Sequence, residues 1–137
     1  MARLARVTDA PLDLAEHLAA VDDATCGAVV TFVGRVRDHD PEAVGEVVAV
    51  EYSAHPDAQR LLGEMADRAE AAGALVAVSH RVGSLTVGEI ALLACVATAH
   101  RREAYTVSLG LVEEIKASLP VWKRQLEADG ATRWIGA

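Results

Sequence analysis

Two lysines carry the chemistry that the sequence offers most directly. Lys116 and Lys123 lie in the stretch Val112-Glu113-Glu114-Ile115-Lys116-Ala117-Ser118-Leu119-Pro120-Val121-Trp122-Lys123-Arg124, and every other permanently charged cation in the chain is an arginine. Arginine keeps its proton at any working pH. A lysine that is desolvated, or crowded by another cation, gives its proton up and can then act as acid, base or nucleophile. The plain alternative is two solvated lysines, the first paired with Glu113 at helical spacing.

The surrounding pattern predicts a helix that positions the first lysine. A stripe through Ala104, Val107, Leu111, Ile115 and Leu119 places Lys116 at the edge of the buried face, one turn beyond Val112. Pro120 lacks an N–H, and its ring collides with the carbonyl of Lys116, so the helix stops near Leu119. Lys123 is then expected on the turn after the helix, with Trp122 as its apolar anchor. Two ammonium groups brought close in this way lower each other's pKa.

A second set of candidates would hold an anion. The formal net charge is −7, with 20 Asp and Glu against 13 Lys and Arg, which argues against general nucleic-acid binding. Within that acidic background, basic residues collect at Arg35 with Arg37 and at His100-Arg101-Arg102. Arg35 and Arg37 belong to the strand pattern Ala28 to Arg37, whose alternation puts them on one face with Thr31 and Val33, while Val30, Phe32 and Val36 take the other. His100 and Arg101 fall in the first turn of the long helix, where free N–H groups and the helix dipole suit a phosphate. Arg101 and Lys116 stand at opposite ends of that helix, about 22 Å apart at 1.5 Å per residue. Either there are two anion sites, or a symmetric dimer brings the helix start of one subunit to the helix end of the other.

The elements that must hold these groups form one domain over residues 1–137, 52% of it hydrophobic. No run approaches signal-peptide or membrane-span length, and the chain reads as cytoplasmic. Cys26 and Cys95 suit reduced thiols in or beside apolar strands, and no cysteine spacing suggests a metal. Asp38-His39-Asp40-Pro41 reads as turn chemistry that caps its own backbone, and His55 as the neighbour of a helix cap. In order, the chain predicts a strand over Arg3 to Val7, a helix capped by Asp13 and running to about Val21, the Ala28 strand, and a strand over Glu46 to Ser53 pairing antiparallel with it. A helix follows from Pro56-Asp57 to about Ala72 with inner residues Ala58, Leu61, Leu62, Met65 and Ala69. Strands Leu75 to Val82 and Ile90 to Ala97, joined through Gly83 and Gly88, precede the long helix, and Thr132 to Ile135 makes a last strand. This order gives an α+β domain with a largely antiparallel sheet and three helices.

The sequence also resembles the large, catalytic subunit of molybdopterin synthase. The matching stretches are Gly27-Ala28-Val29-Val30-Thr31-Phe32-Val33-Gly34, Val36-Arg37-Asp38-His39, His80-Arg81-Val82-Gly83, Ala99-His100-Arg101, Leu119-Pro120-Val121-Trp122-Lys123-Arg124 and Arg133-Trp134, in order across nearly the whole chain. The resemblance implies an α/β-hammerhead fold and a homodimer at the core of a heterotetramer, with a small ubiquitin-like sulfur-carrier subunit at each end. The carrier's Gly-Gly C-terminus, as a thiocarboxylate, donates sulfur to cyclic pyranopterin monophosphate to make the dithiolene of molybdopterin. Lys116 and Lys123 are implied as catalytic and substrate-contacting. Arg35, Val36 and Arg37 match a substrate-binding stretch, His100 and Arg101 a pair given by the neighbouring subunit, and Arg124 and Gln125 the end of the last binding stretch. Arg35 and Gln125 depart from the usual residue types, the latter standing where glutamate is common. No cofactor, membrane or nucleic acid is implied. A different class of reading is a non-catalytic dimeric module that binds a phosphorylated metabolite, which uses the arginines and leaves the lysines idle.

Overall fold

In chain order the elements are β1 (Leu4–Thr8), α1 (Leu14–Ala20), β2 (Ala28–Arg35), β3 (Val47–Ala54), α2 (Ala58–Ala71), β4 (Leu75–Arg81), β5 (Gly83–Thr86), β6 (Ile90–Thr98), α3 (Arg101–Ser118), β7 (Val121–Glu127) and β8 (Thr132–Ile135). They come from a computed structural model that describes residues 1–40 and 45–135; Pro41 of the expected turn and the Gly136-Ala137 end lie outside the described residues. Two four-stranded sheets result, β1-β4-β6-β2 and β5-β3-β7-β8. The β1–β4 pair is parallel and the other strand pairs are antiparallel. The α+β class, three helices and largely antiparallel pairing follow the expectation.

The first sheet is covered on both faces. Its central strands β4 and β6 are apolar almost throughout, the pattern of a strand buried on two sides. On one face, Leu62, Met65 and Ala66 of α2 and Leu111, Val112 and Ile115 of α3 pack on Val76, Val78, Leu92, Ala94 and Val96. Leu62 and Ile115 are among the largest fully buried side chains, each contributing about 1.5–3 kcal/mol by leaving water. On the other face Val21, at the end of α1, meets Ala77, Cys95 and Ala97. Asp13 caps α1 as expected, accepting from the N–H groups of Ala15 and Glu16. Among the described residues no helix is long and apolar enough to cross a membrane.

The second sheet has its own core of Val36, Val47, Val50, Leu85 and Ala91, and Tyr52 packs against both cores. Here the structure corrects three expectations. First, β3 does not pair with β2. The ladder between β2 and β6 shifts register at Gly34/Arg35. Val36 then donates its N–H to the Glu89 carbonyl at 3.0 Å and inserts its side chain into the second core. The chain therefore leaves the first sheet, and β3 pairs with β5 and β7. Second, the segment between Gly83 and Gly88, expected as a turn, contains β5; both glycines have φ of +93°, the left-handed region that lets so short a strand turn at each end. Third, Lys123 is on strand β7 rather than a turn, and Trp122 is 45% exposed and anchors nothing.

Candidate functional site

The two lysines reach one place from two elements. At the end of α3 the Leu119 N–H still donates to the Ile115 carbonyl at 3.0 Å, and Leu119 then turns extended ahead of Pro120. Pro120 ends the helix as expected, and β7 departs at once, with Lys123 opposite Tyr52 of β3. Strand alternation puts Val121, Lys123, Gln125 and Glu127 on the inner face of β7. Lys116, Lys123, Tyr52 and His80 line one small cavity of about 30 Å³, floored by Ile115, Leu119 and Val121. Among the described residues Lys116 makes no ion pair with Glu113, although part of its side chain remains exposed to solvent.

The cavity separates the two amines electrostatically. The Lys116 side chain is exposed along part of its length, but its amine is partly desolvated at the cavity. That desolvation, followed by the Lys123 ammonium, lowers its pKa below the ordinary lysine value. Lys123 has a counter-ion: its Nζ is 3.8 Å from Asp40 Oδ2, and the Gln125 amide donates to the same oxygen at 3.0 Å. His80 is 5% exposed. Burial, reinforced by the Lys116 charge, pushes it down to about 4, so it is a neutral imidazole at physiological pH. Its Nδ1 lies 2.8 Å from the Arg81 carbonyl, which can only accept, so Nδ1 carries the proton and Nε2 the lone pair. The ring meets Tyr52 edge-on, centroids 5.2 Å apart, and burial raises the Tyr52 hydroxyl above its usual pKa.

The other expected residues are placed elsewhere in the single chain. Arg35 and Arg37 are exposed and, with Val33, Asp38, Val87 and Gly88, edge a second depression of about 370 Å³. Val36 between them is buried, leaving only backbone on that surface. His100 and Arg101 line a third, open depression of about 550 Å³ with Arg102, Glu103, Tyr105 and Thr106. His100 is the N-cap rather than a first-turn residue, and its side chain makes no capping bond. Arg124 points to the opposite face of β7, donating to Glu51 Oε1 at 3.0 Å and lying 5.5 Å over the Trp134 ring. Gln125 is buried against Asp40 rather than open to the cavity. Tyr52, His80 and Asp40 were not singled out as site residues from the sequence. His80 falls within His80-Arg81-Val82-Gly83, one of the stretches that carry the family resemblance, but a histidine and a tyrosine among strand apolars carry no spacing signal of their own.

The matched family model is "MoaE protein", over residues 7–118, which includes Lys116 and stops short of Lys123. Molybdopterin synthase catalytic subunit 1 of Mycobacterium tuberculosis is 38% identical over 136 residues, 96% of this chain and 89% of its own length. The crystal structure of molybdopterin synthase from Staphylococcus aureus superposes with a TM-score of 0.87 at 28% identity, covering 100% of this chain and 99% of that one. The fold is shared with a solved complex of subunits 1 and 2 of molybdopterin-converting factor from Helicobacter pylori, TM-score 0.76 at 22% identity, covering 99% of this chain and 90% of that one. On the family match and the identity shared with its relatives along nearly the full length, the chain belongs to the MoaE family.

Proposed function

We propose that this chain is the catalytic subunit of molybdopterin synthase, a sulfurtransferase that builds the dithiolene of molybdopterin on cyclic pyranopterin monophosphate. The sulfur comes as the C-terminal thiocarboxylate of a small ubiquitin-like carrier subunit. The observation that carries this reading is the convergence of Lys116 and Lys123 on one cavity, with Lys116 driven toward its neutral form. Forming a carbon–sulfur bond at each position expels an oxygen that needs a proton, and a lysine of lowered pKa is suited to moving one. Lys123, positioned by its ion pair with Asp40, is suited to contact the anionic thiocarboxylate. A cavity of about 30 Å³ has room for little more than a water molecule, so the thiocarboxylate and the pterin are both placed at its mouth, beside the two amines.

The phosphate is assigned to Arg35 and Arg37 with His100 and Arg101. Because the helix start and helix end of one chain are about 22 Å apart, the second pair comes from the other subunit of a homodimer. Two such dimerised chains with a carrier at each end make the heterotetramer, and the subunit 1–subunit 2 complex of similar fold supports a two-component assembly. The compartment is the cytoplasm, in keeping with the unpaired thiols of Cys26 and Cys95.

The test is reconstitution with thiocarboxylated carrier and cyclic pyranopterin monophosphate, following dithiolene formation. Lys116→Arg keeps the charge and forbids deprotonation, so turnover drops by about 100-fold or more while pterin binding persists. An unchanged rate overturns the catalytic assignment.

A further inference from the structure

Two lysines share one cavity, yet their surroundings differ. Among the described residues, the groups facing the pair are Asp40 from the segment after β2, Tyr52 from β3 and His80 from β4, with Lys116 itself on α3 and Lys123 on β7. Tyr52 and His80 are neutral at physiological pH, so Asp40 is the anion among them. It is 9% exposed, its Oδ2 lies 3.8 Å from Lys123 Nζ, and Gln125 fixes that same oxygen at 3.0 Å. The chain leading into it is anchored twice: the Asp38 carbonyl accepts from Val47 N–H at 2.9 Å, and the Val36 carbonyl from Gly88 N–H at 2.7 Å.

We propose that Asp40 is a positioning residue that pairs with Lys123 and holds its charge beside Lys116, and so divides the labour between the lysines, leaving Lys116 as the one that exchanges a proton. The proposal rests on the sulfur-transfer reading above and adds to it a residue that touches neither substrate. Lys116 is pushed toward its neutral form first by desolvation and then by the charge of Lys123, which Asp40 holds beside it. Without the carboxylate, Lys116 keeps the effect of its desolvation but loses a cation held in place beside it, so the difference between the two amines narrows. The same contact ties the segment carrying Arg35 and Arg37 to the strand carrying Lys123, so phosphate binding and the cavity are held in one frame.

The geometry supplies its own control. Asp40 and Gln125 touch, and Asp40→Asn with Gln125→Glu exchanges carboxylate and amide between isosteric side chains, moving the negative charge to the other side of the same contact. Trace acylation of the amines in the folded protein, read by mass spectrometry across a pH series, gives the ratio of Lys116 to Lys123 labelling without any substrate. Asp40→Asn narrows that ratio by about threefold or more, the effect of one neighbouring charge lost. In the reconstituted assay it also lowers kcat more than the KM for the pterin. The double exchange restores both the ratio and kcat. An unchanged ratio in a folded Asp40→Asn protein overturns the role, as does a double exchange that stays as impaired as the single variant. The two failures are distinguishable: no turnover in the unaltered protein overturns the synthase reading, whereas an unchanged labelling ratio overturns Asp40.

Discussion

A buried histidine that stays neutral makes this fold sensitive to acid. His80 has a folded pKa of about 4 against an ordinary value of 6.5, so between those values the unfolded chain binds more protons than the folded one. Its contribution to stability is complete above about pH 6.5 and is lost as pH falls toward 4, roughly 2 kcal/mol of it between pH 7 and pH 5. Urea midpoints at those two pH values should differ accordingly, and His80→Gln should flatten the difference. Lys116 has the opposite relation to function: its ammonium is disfavoured where it sits, so Lys116→Met should abolish dithiolene formation while raising Tm, a separation of activity from stability that differential scanning calorimetry reads directly. At this scale the lysines were legible because composition isolates them. Asp40 was not, because its sequence neighbours make it look like a turn former, and its partners come from a strand 85 residues away.

At the scale of elements, α3 was legible and β7 was not, for reasons that lie in their side chains. The α3 stripe faces a core, so period and burial agree, and Ala104, Leu111, Ile115 and Leu119 are all buried. In β7 the pattern is inverted: Gln125 and Glu127 face inward and are buried, whereas Trp122 and Leu126 face out. Beyond Val121, which packs into the main core, apolar alternation therefore points away from the core, and polar partners, Asp40 for Gln125 and the Gly45 N–H at 2.7 Å for Glu127, hold the inner face of the strand. The junction of β2 with the start of α3 depends on close backbone contact. Gly27 donates to the Ala99 carbonyl, and a Cβ there would sit 2.8 Å from that oxygen. Gly27→Ala should cost about 1–3 kcal/mol by denaturant titration, since backbone rather than a flexible side chain must yield.

Over the whole molecule, the two-sheet plan was legible only in part, because sequence order suggests that neighbouring strands pair and the chain instead crosses between sheets after Arg35. That crossing brings Lys123 to Lys116, while the length of α3 keeps His100 and Arg101 away from both. The proposed dimer has a direct readout. Lys116→Ala and Arg101→Ala are each inactive alone, yet an equimolar mixture allowed to exchange subunits should recover about a quarter of normal turnover, because half the dimers are mixed and each mixed dimer has one intact site. The second sheet offers a native optical probe as well. Both tryptophans of the chain are on it, Trp122 at 45% and Trp134 at 60% exposure, and Arg124 lies against the latter. Their fluorescence therefore begins red, in contact with solvent, and a protein that seats itself over that outer surface will move the emission to shorter wavelength with no label attached.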